Sequence, residues 1–296
     1  MAPPRRIWVV TPAALEGQVR EVLPGLREGN VIVEPSPRDT APAVALACAR
    51  ISVADPGAVV GLFPTDHVIR DTGEFVEVVR VASKAAARGA LVCLGIQPDH
   101  PATGFGYLKC GGRPHRRRAV AVDRFVEKPD ATRARRFLKA GTYLWNGGMF
   151  VWRAERFLEE AGRVAPDVVG PVRDFVGGRK GAWTRASRRS VDFAVMEKAS
   201  GVRVVALDAG WDDVGSWDAA ARLREESPGR GGERHVLVDS PGSVVFGDGR
   251  LVAVVDAPGL AIVDTSDALL VVSRGSSERV RAVVEELRRR RRKDLL

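Results

Sequence analysis

Strand-like and helix-like segments alternate through the first half of the chain. Apolar β-type runs at 7–10, 31–34, 59–63 and 91–96 are separated by stretches with helical spacing. One such stretch, with Thr40 as its cap, is predicted to reach Ala54. Another carries Phe75, Val78, Val79 and Ala82 on one face and stops before Gly89, a residue suited to close a helix in a left-handed conformation. This order predicts a parallel sheet with crossover helices, an α/β fold in three layers. In open sheets of that kind ligands sit beyond the carboxyl ends of the strands. The stretch GLFPTDH, residues 61–67, therefore matters: the run through Val60 reads as a buried strand that Pro64 breaks, which leaves Asp66 at a strand end.

After Pro228 the pattern changes. Short β runs at 236–238, 244–246, 251–255, 261–263 and 269–272 are punctuated by Pro241-Gly242, Asp248-Gly249 and Pro258-Gly259. A last helix then places Val280, Val283, Val284 and Leu287 on one face. The expected organisation is an α/β domain over 1–228 and a small β extension with a terminal helix over 229–296.

Composition limits the partners. With 46 Lys and Arg against 37 Asp and Glu, the net charge of +9 suits an anionic ligand such as a nucleotide or a sugar phosphate. Arginines are scattered except for the run from 288 to 292 beside Lys293, and two tyrosines give no aromatic-and-basic surface for stacking bases, so no nucleic acid is expected. Cys48, Cys93 and Cys110 lie in apolar context and read as buried reduced thiols, the habit of a cytoplasmic protein. His67, His100, His115 and His235 show no zinc-ligand spacing with them. No apolar run approaches the roughly 20 residues that cross a bilayer. No signal peptide is read before Ile7, so the expectation is a cytoplasmic chain without membrane contact.

Several short stretches carry chemistry. GWDDVGSW, residues 210–217, holds Asp213, 147 positions after Asp66. If the fold joins them, two carboxylates offer hard oxygen ligands to Mg²⁺, which keeps several waters and completes its shell with substrate phosphates. Taken singly, each reads as a turn or cap carboxylate. Glu127-Lys128-Pro129 ends a β run at 119–126, so that Lys128 is placed to meet a phosphate as a point charge and Glu127 to accept hydrogen bonds from sugar hydroxyls. In isolation the same tripeptide is an exposed salt bridge. TGFGY, residues 103–107, has glycines, including Gly106, that allow either close approach of a ligand or a bulge. WNGGMF, residues 145–150, offers the donor and acceptor of Asn146. In the segment 34–43, the Glu34 carboxylate matches the paired N–H donors of guanine; the plainer reading is a Pro-rich loop with Thr40 as N-cap.

Together with SVDFAVMEK, residues 190–198, these seven stretches come in an order and spacing that resembles the mannose-1-phosphate guanylyltransferases, or GDP-mannose pyrophosphorylases, of the sugar nucleotidyltransferase family. The resemblance runs from about Ile7 to the C-terminus. It implies a Rossmann-like three-layer sandwich with its first strand missing, followed by a short β-helix-like extension. It implies that mannose 1-phosphate attacks the α-phosphorus of GTP, giving GDP-mannose and pyrophosphate, with room for a homodimer. Asp66 and Asp213 map onto the metal ligands and Lys128 onto the sugar-phosphate lysine; these three are the expected catalytic residues. Glu127, Asn146, Gly106 and Tyr107 map around the mannose, and Glu34, Arg38 and Thr40 near the base. Asp39 stands where the family usually has Asn, and Gly147 where it has Ser. No glycine-rich signature with its Arg and Lys precedes Ile7, so the chain is expected to be an N-terminally truncated enzyme; the alternative is a binding or regulatory homologue without turnover.

Overall fold

The computed structural model describes residues 3–226, 235–247 and 249–295. The expected domain boundary at 228/229 and the expected turn residue Asp248 lie outside them. The chain divides into two compact units, one holding residues 1–65 and 69–211, the other 66–68 and 212–296.

In chain order the first unit runs β1 (Val9–Pro12), α1 (Glu16–Val22), β2 (Val31–Glu34), α2 (Thr40–Ala54) and β3 (Val59–Leu62). The short β4 (Val68–Ile69) precedes α3 (Thr72–Ala86), β5 (Leu91–Ile96), β6 (Tyr107–Cys110), β7 (Val120–Val126) and α4 (Ala131–Ala140). Then come β8 (Tyr143–Arg153), α5 (Ala154–Val164), α6 (Pro166–Val176), β9 (Val202–Leu207) and the short β10 (Trp211–Asp212). Helix starts are fixed by carboxylates: Asp71 accepts the Glu74 N–H at 2.9 Å and Asp130 the Arg133 N–H at 2.8 Å. Such caps contribute about 1 kcal/mol each. At α2 the cap is Asp39, whose Oδ1 accepts the Thr40 N–H at 2.7 Å, and not Thr40 as expected. The Thr40 hydroxyl oxygen instead accepts the Val191 N–H at 2.9 Å, tying the helix start to a distant segment.

A six-stranded sheet in the order β3-β8-β5-β9-β7-β6 forms the middle layer. All six residues of β5 are buried, and they alternate between two cores. Leu91 and Cys93 join Leu46, Trp152, Phe157 and Val168 on the side of α2, α5 and α6; Val92 and Leu94 join Val78, Ala82 and Met149 on the side of α3. Each fully buried aliphatic side chain is worth on the order of 1.5–3 kcal/mol. The three layers are as expected, but the sheet is mixed. β5 and β9 are parallel, whereas the eleven-residue β8 runs antiparallel to β3, β5 and β6. β3 is also not the buried strand that was expected. It is the edge of the sheet, paired on one side only, and Val59 is 39% exposed. β1 and β2 pair in parallel as a separate ribbon, and β1 starts two residues later than expected because residues 4–6 coil into a 3₁₀ turn that opens on Pro4.

Helix α5 is pinned by one acid. Glu160, 4% exposed, accepts from Arg156 at 3.0 Å, from Arg163, and from the Ser200 N–H and hydroxyl at 2.7 and 3.0 Å.

The second unit contains α7 (Trp217–Glu226), β11 (His235–Val238), β12 (Val244–Phe246), β13 (Val252–Val255), β14 (Leu260–Asp264), β15 (Leu269–Ser273) and α8 (Val280–Arg289). β11 lies parallel to β13 and β12 to β14, with His235 opposite Val252 and Val244 opposite Ala261, the same seventeen-residue step in both. The chain thus coils, stacking strands one turn apart around Val245, Val254 and Ile262. Ser243 satisfies the corner, donating to the Ala257 carbonyl at 2.7 Å and accepting the Leu260 N–H at 2.9 Å. Among the described residues no helix is long and apolar enough to cross a membrane.

Candidate functional site

The sequence-selected residues fall into groups that can be described within each unit. In the first unit β7 ends at Val126, and Lys128 turns into the left-handed region with φ 44°. A non-glycine residue held there costs on the order of 1 kcal/mol, a strain found most often at functional sites. Its side chain is 64% exposed, and its ammonium lies 3.7 Å from Glu127 Oε1. Glu127 Oε2 is buried without a hydrogen-bond partner. Gly106 closes over that oxygen: a Cβ at Gly106 would stand 2.6 Å from it, so only glycine leaves the Glu127 carboxylate undisturbed. The Asn146 N–H donates to the Gly106 carbonyl at 2.8 Å, which brings the third expected residue to the same place.

Two further acids complete this group, and sequence reasoning gave neither a role. Asp192 accepts Asn146 Nδ2–H at 2.7 Å, and Glu197 accepts the Glu127 backbone N–H at 2.8 Å. Burial pushes the Glu127 carboxyl up to about 7; Asp192 and Glu197 add to the rise and Lys128 opposes it. Burial likewise raises Asp192, against the Asn146 hydrogen bond and the Lys128 charge. The group is rich in acceptors and short of donors. Chemically it suits a ligand that brings hydroxyls to the acids and an anion to the ammonium.

Segment 34–40 is also in the first unit. Burial raises the half-buried Glu34 carboxyl, with the Arg38 backbone N–H opposing. The Arg38 guanidinium donates to the Ala186 carbonyl at 2.7 Å, and its Nε is buried without a partner. Tyr107 is corrected. Its side chain is fully buried in the core on the α3 side and its hydroxyl donates to the Ala102 carbonyl at 2.9 Å, so it packs β6 and offers a ligand nothing.

In the second unit the charges of Asp66 and Asp213 both act on the His67 imidazole. Burial lowers the proton affinity of His67, and the Asp66, Asp213 and Asp212 carboxylates oppose that in this order. Asp212 is committed, accepting the Val214 N–H at 2.9 Å and facing Arg222 at 3.6 Å. Asp213 Oδ1 accepts a longer bond from the Gly215 N–H, 3.3 Å. Directly after these two acids Val214 has φ 48°, an outlier for a β-branched residue. Among the described residues no three or more His, Cys, Asp and Glu side chains are grouped to hold a metal ion.

Comparison with known proteins shows which family the chain resembles. Residues 2–227 match the Nucleotidyl transferase family model, and residues 233–287 match the MannoseP isomerase/GMP-like beta-helix domain. Xanthan biosynthesis protein XanB of Xanthomonas campestris pv. campestris (strain B100) is 38% identical over 277 residues, covering 89% of this chain and 58% of that protein. A mannose-1-phosphate guanylyltransferase of Escherichia coli is 38% identical over 283 residues, covering 89% and 59%. The chain thus spans less than three fifths of the length of these curated relatives. The crystal structure of mannose-1-phosphate geranyltransferase from Thermus thermophilus superposes with TM-score 0.86 at 32% identity, over 97% of this chain and 86% of that one. With the family model spanning the whole sheet and its helices, the chain belongs to the nucleotidyl transferase family.

Proposed function

We propose that the protein is a mannose-1-phosphate guanylyltransferase, moving GMP from GTP to mannose 1-phosphate and releasing pyrophosphate. The observation that carries this reading is the buried, unpartnered Glu127 Oε2 beside the exposed Lys128 ammonium: an acceptor awaiting a hydroxyl next to a charge awaiting a phosphate. The names of the relatives support the choice of sugar and base.

In this reading Lys128 binds the sugar phosphate, while Glu127, Asn146 and the Gly106 backbone surround the mannose. Segment 34–40 lies along the base. A phosphate oxygen of mannose 1-phosphate forms the new P–O bond to the α-phosphorus as the α–β bridging bond breaks. The nucleophile is already an anion, so the chain supplies no general base; it supplies position and charge. Asp66 and Asp213 fit Mg²⁺ by donor chemistry, two hard carboxylate oxygens that leave room for phosphate ligands. When bound, that ion supplies charge neutralisation for the triphosphate. The three cysteines are free and buried, with burial pushing Cys48 up to about 12 and Cys110 up to about 11, which suits the reducing cytoplasm that we take as its location.

The test is incubation with GTP, mannose 1-phosphate and Mg²⁺. Formation of GDP-mannose with stoichiometric pyrophosphate is expected; binding of GDP-mannose without pyrophosphate release would reduce the protein to a binding homologue. Replacing mannose 1-phosphate by glucose 1-phosphate separates the sugar preference. Lys128→Met is expected to raise KM for the sugar phosphate by about ten- to a hundredfold, the scale of one lost charged hydrogen bond, with KM for GTP nearly unchanged.

A further inference from the structure

Residues Asp192–Met196 form a single π-helical turn, closed by the Glu197 N–H donating to the Asp192 carbonyl at 3.0 Å. In an α-helix, side chains five positions apart diverge by about 140° around the axis. The wider i→i+5 turn sets them on one side, and such turns concentrate at functional sites. Here both acids at its ends grip sugar-group residues from other strands: Asp192 takes the Asn146 amide on β8, and Glu197 takes the Glu127 backbone just beyond β7.

We propose that this π turn is a positioning clamp, in which Asp192 and Glu197 fix the Asn146 amide and the Glu127 backbone at the spacing that a sugar ring requires. The inference rests on the reading of Glu127, Lys128 and Asn146 as the sugar-phosphate group. A carboxylate only accepts, so Asp192 commits Asn146 Nδ2 to itself and fixes which end of the amide remains for a ligand. The Asn146 Oδ1 keeps only a long contact with the Gly148 N–H, 3.4 Å.

A purely structural brace would not be built this way. Asp192 faces Lys128, but also the Asp39 carboxylate at the start of α2, and it acts in turn on Glu127 and on the Cys93 thiol of β5. Glu197 is a second acid acting on Glu127. Like charges gathered round one partly exposed ammonium oppose folding, and a neutral asparagine or serine would tie the strands at lower cost. Acids are retained where their charge orders groups that meet a ligand.

The experiment is calorimetric binding of GDP-mannose and of GDP to the full chain. Asp192→Ala is expected to weaken GDP-mannose about tenfold and leave GDP unchanged, and Asp192→Asn, whose amide can donate to Asn146 as well as accept from it, to restore only part of the loss. In an Asn146→Ala background Asp192→Ala should cost nothing more. Unchanged GDP-mannose affinity, equal weakening of both ligands, or a full additional loss in the Asn146→Ala background would each overturn the clamp. If the wild-type chain prefers another sugar nucleotide, the mannose reading falls, and the same comparison with that ligand and its nucleoside diphosphate still decides the clamp. Absence of binding to any sugar nucleotide overturns both.

Discussion

Asp213→Ala is expected to lower kcat for GDP-mannose formation by about a thousandfold or more and to remove the Mg²⁺ dependence of nucleotide binding. Losing a group that neutralises charge at the reacting phosphates costs at least what losing one oxyanion donor costs, about 10²–10³-fold. The local geometry separates this acid from its neighbour. Asp212 is occupied by the Val214 N–H at 2.9 Å and by Arg222, whereas Asp213 accepts the longer Gly215 bond, 3.3 Å. Asp212→Asn should therefore lower thermal stability more than it alters Mg²⁺ dependence, and Asp213→Ala the reverse. Asp66→Asn should match Asp213→Ala, and the double variant should be scarcely worse than either, since residues acting as a unit are not additive. Titrating nucleotide binding against Mg²⁺ checks the idea independently of turnover. An Asp213→Ala protein with the wild-type Mg²⁺ response would remove the basis for a shared ion.

Glu160→Ala should destabilise the protein by about 3–5 kcal/mol, the cost of breaking a buried ion pair and leaving its partners uncompensated. Two arginines and both Ser200 donors converge on this one carboxylate. The variant is expected to melt roughly 10 °C lower, at about 2–4 °C per kcal/mol for a chain of this size. The pH dependence has a definite sign. Burial works to raise the Glu160 carboxyl, but the bonds from Arg163, the Ser200 N–H, Arg156 and the Ser200 hydroxyl outweigh it and hold the group at about 2, below its ordinary 4.5. A depressed folded-state value means stabilisation that is complete above about pH 4.5 and disappears as pH falls toward 2. Denaturation curves of wild type and Glu160→Gln should therefore converge over that window. A constant gap across it, or a loss under 1 kcal/mol for Glu160→Ala, would show that the cluster does not anchor α5.

The parts of the fold that were legible in the sequence are those where one local rule decides. β5 is apolar throughout because both its faces are buried, and α2 runs over the predicted residues, although Asp39 supplies the cap that Thr40 was given. β8 was not read as a strand, because Gly147-Gly148 interrupts its apolar run and glycines weaken a strand pattern. In the fold those glycines sit where β8 crowds β5: a Cβ on Gly147 would lie 2.9 Å from the Leu94 carbonyl. β3 looked buried since its residues are apolar, yet pairing, not composition, decides what an edge exposes. At the candidate site, Glu127, Lys128, Asn146 and Gly106 stood out by residue type and strand ends, and the fold groups them, as their spacing in the sequence alone does not. Tyr107 was not, because alternation along β6 decides which way it faces. Asp192 and Glu197 were quoted in a motif but given no task, since their partners are hydrogen-bond groups 46 and 70 positions away.

The seventeen-residue step of the C-terminal coil sets what lengths of chain this region tolerates. Inserting or removing one full circuit returns every strand to its neighbour with the same side chains inward. A single added residue shifts the following strand by half a pleat period, moving Ile262 out of its contact with Val245 and Val254 and putting Ala261 or Val263 in its place. Descendants of this sequence should therefore lengthen or shorten here by whole circuits, like floors added to a stairwell.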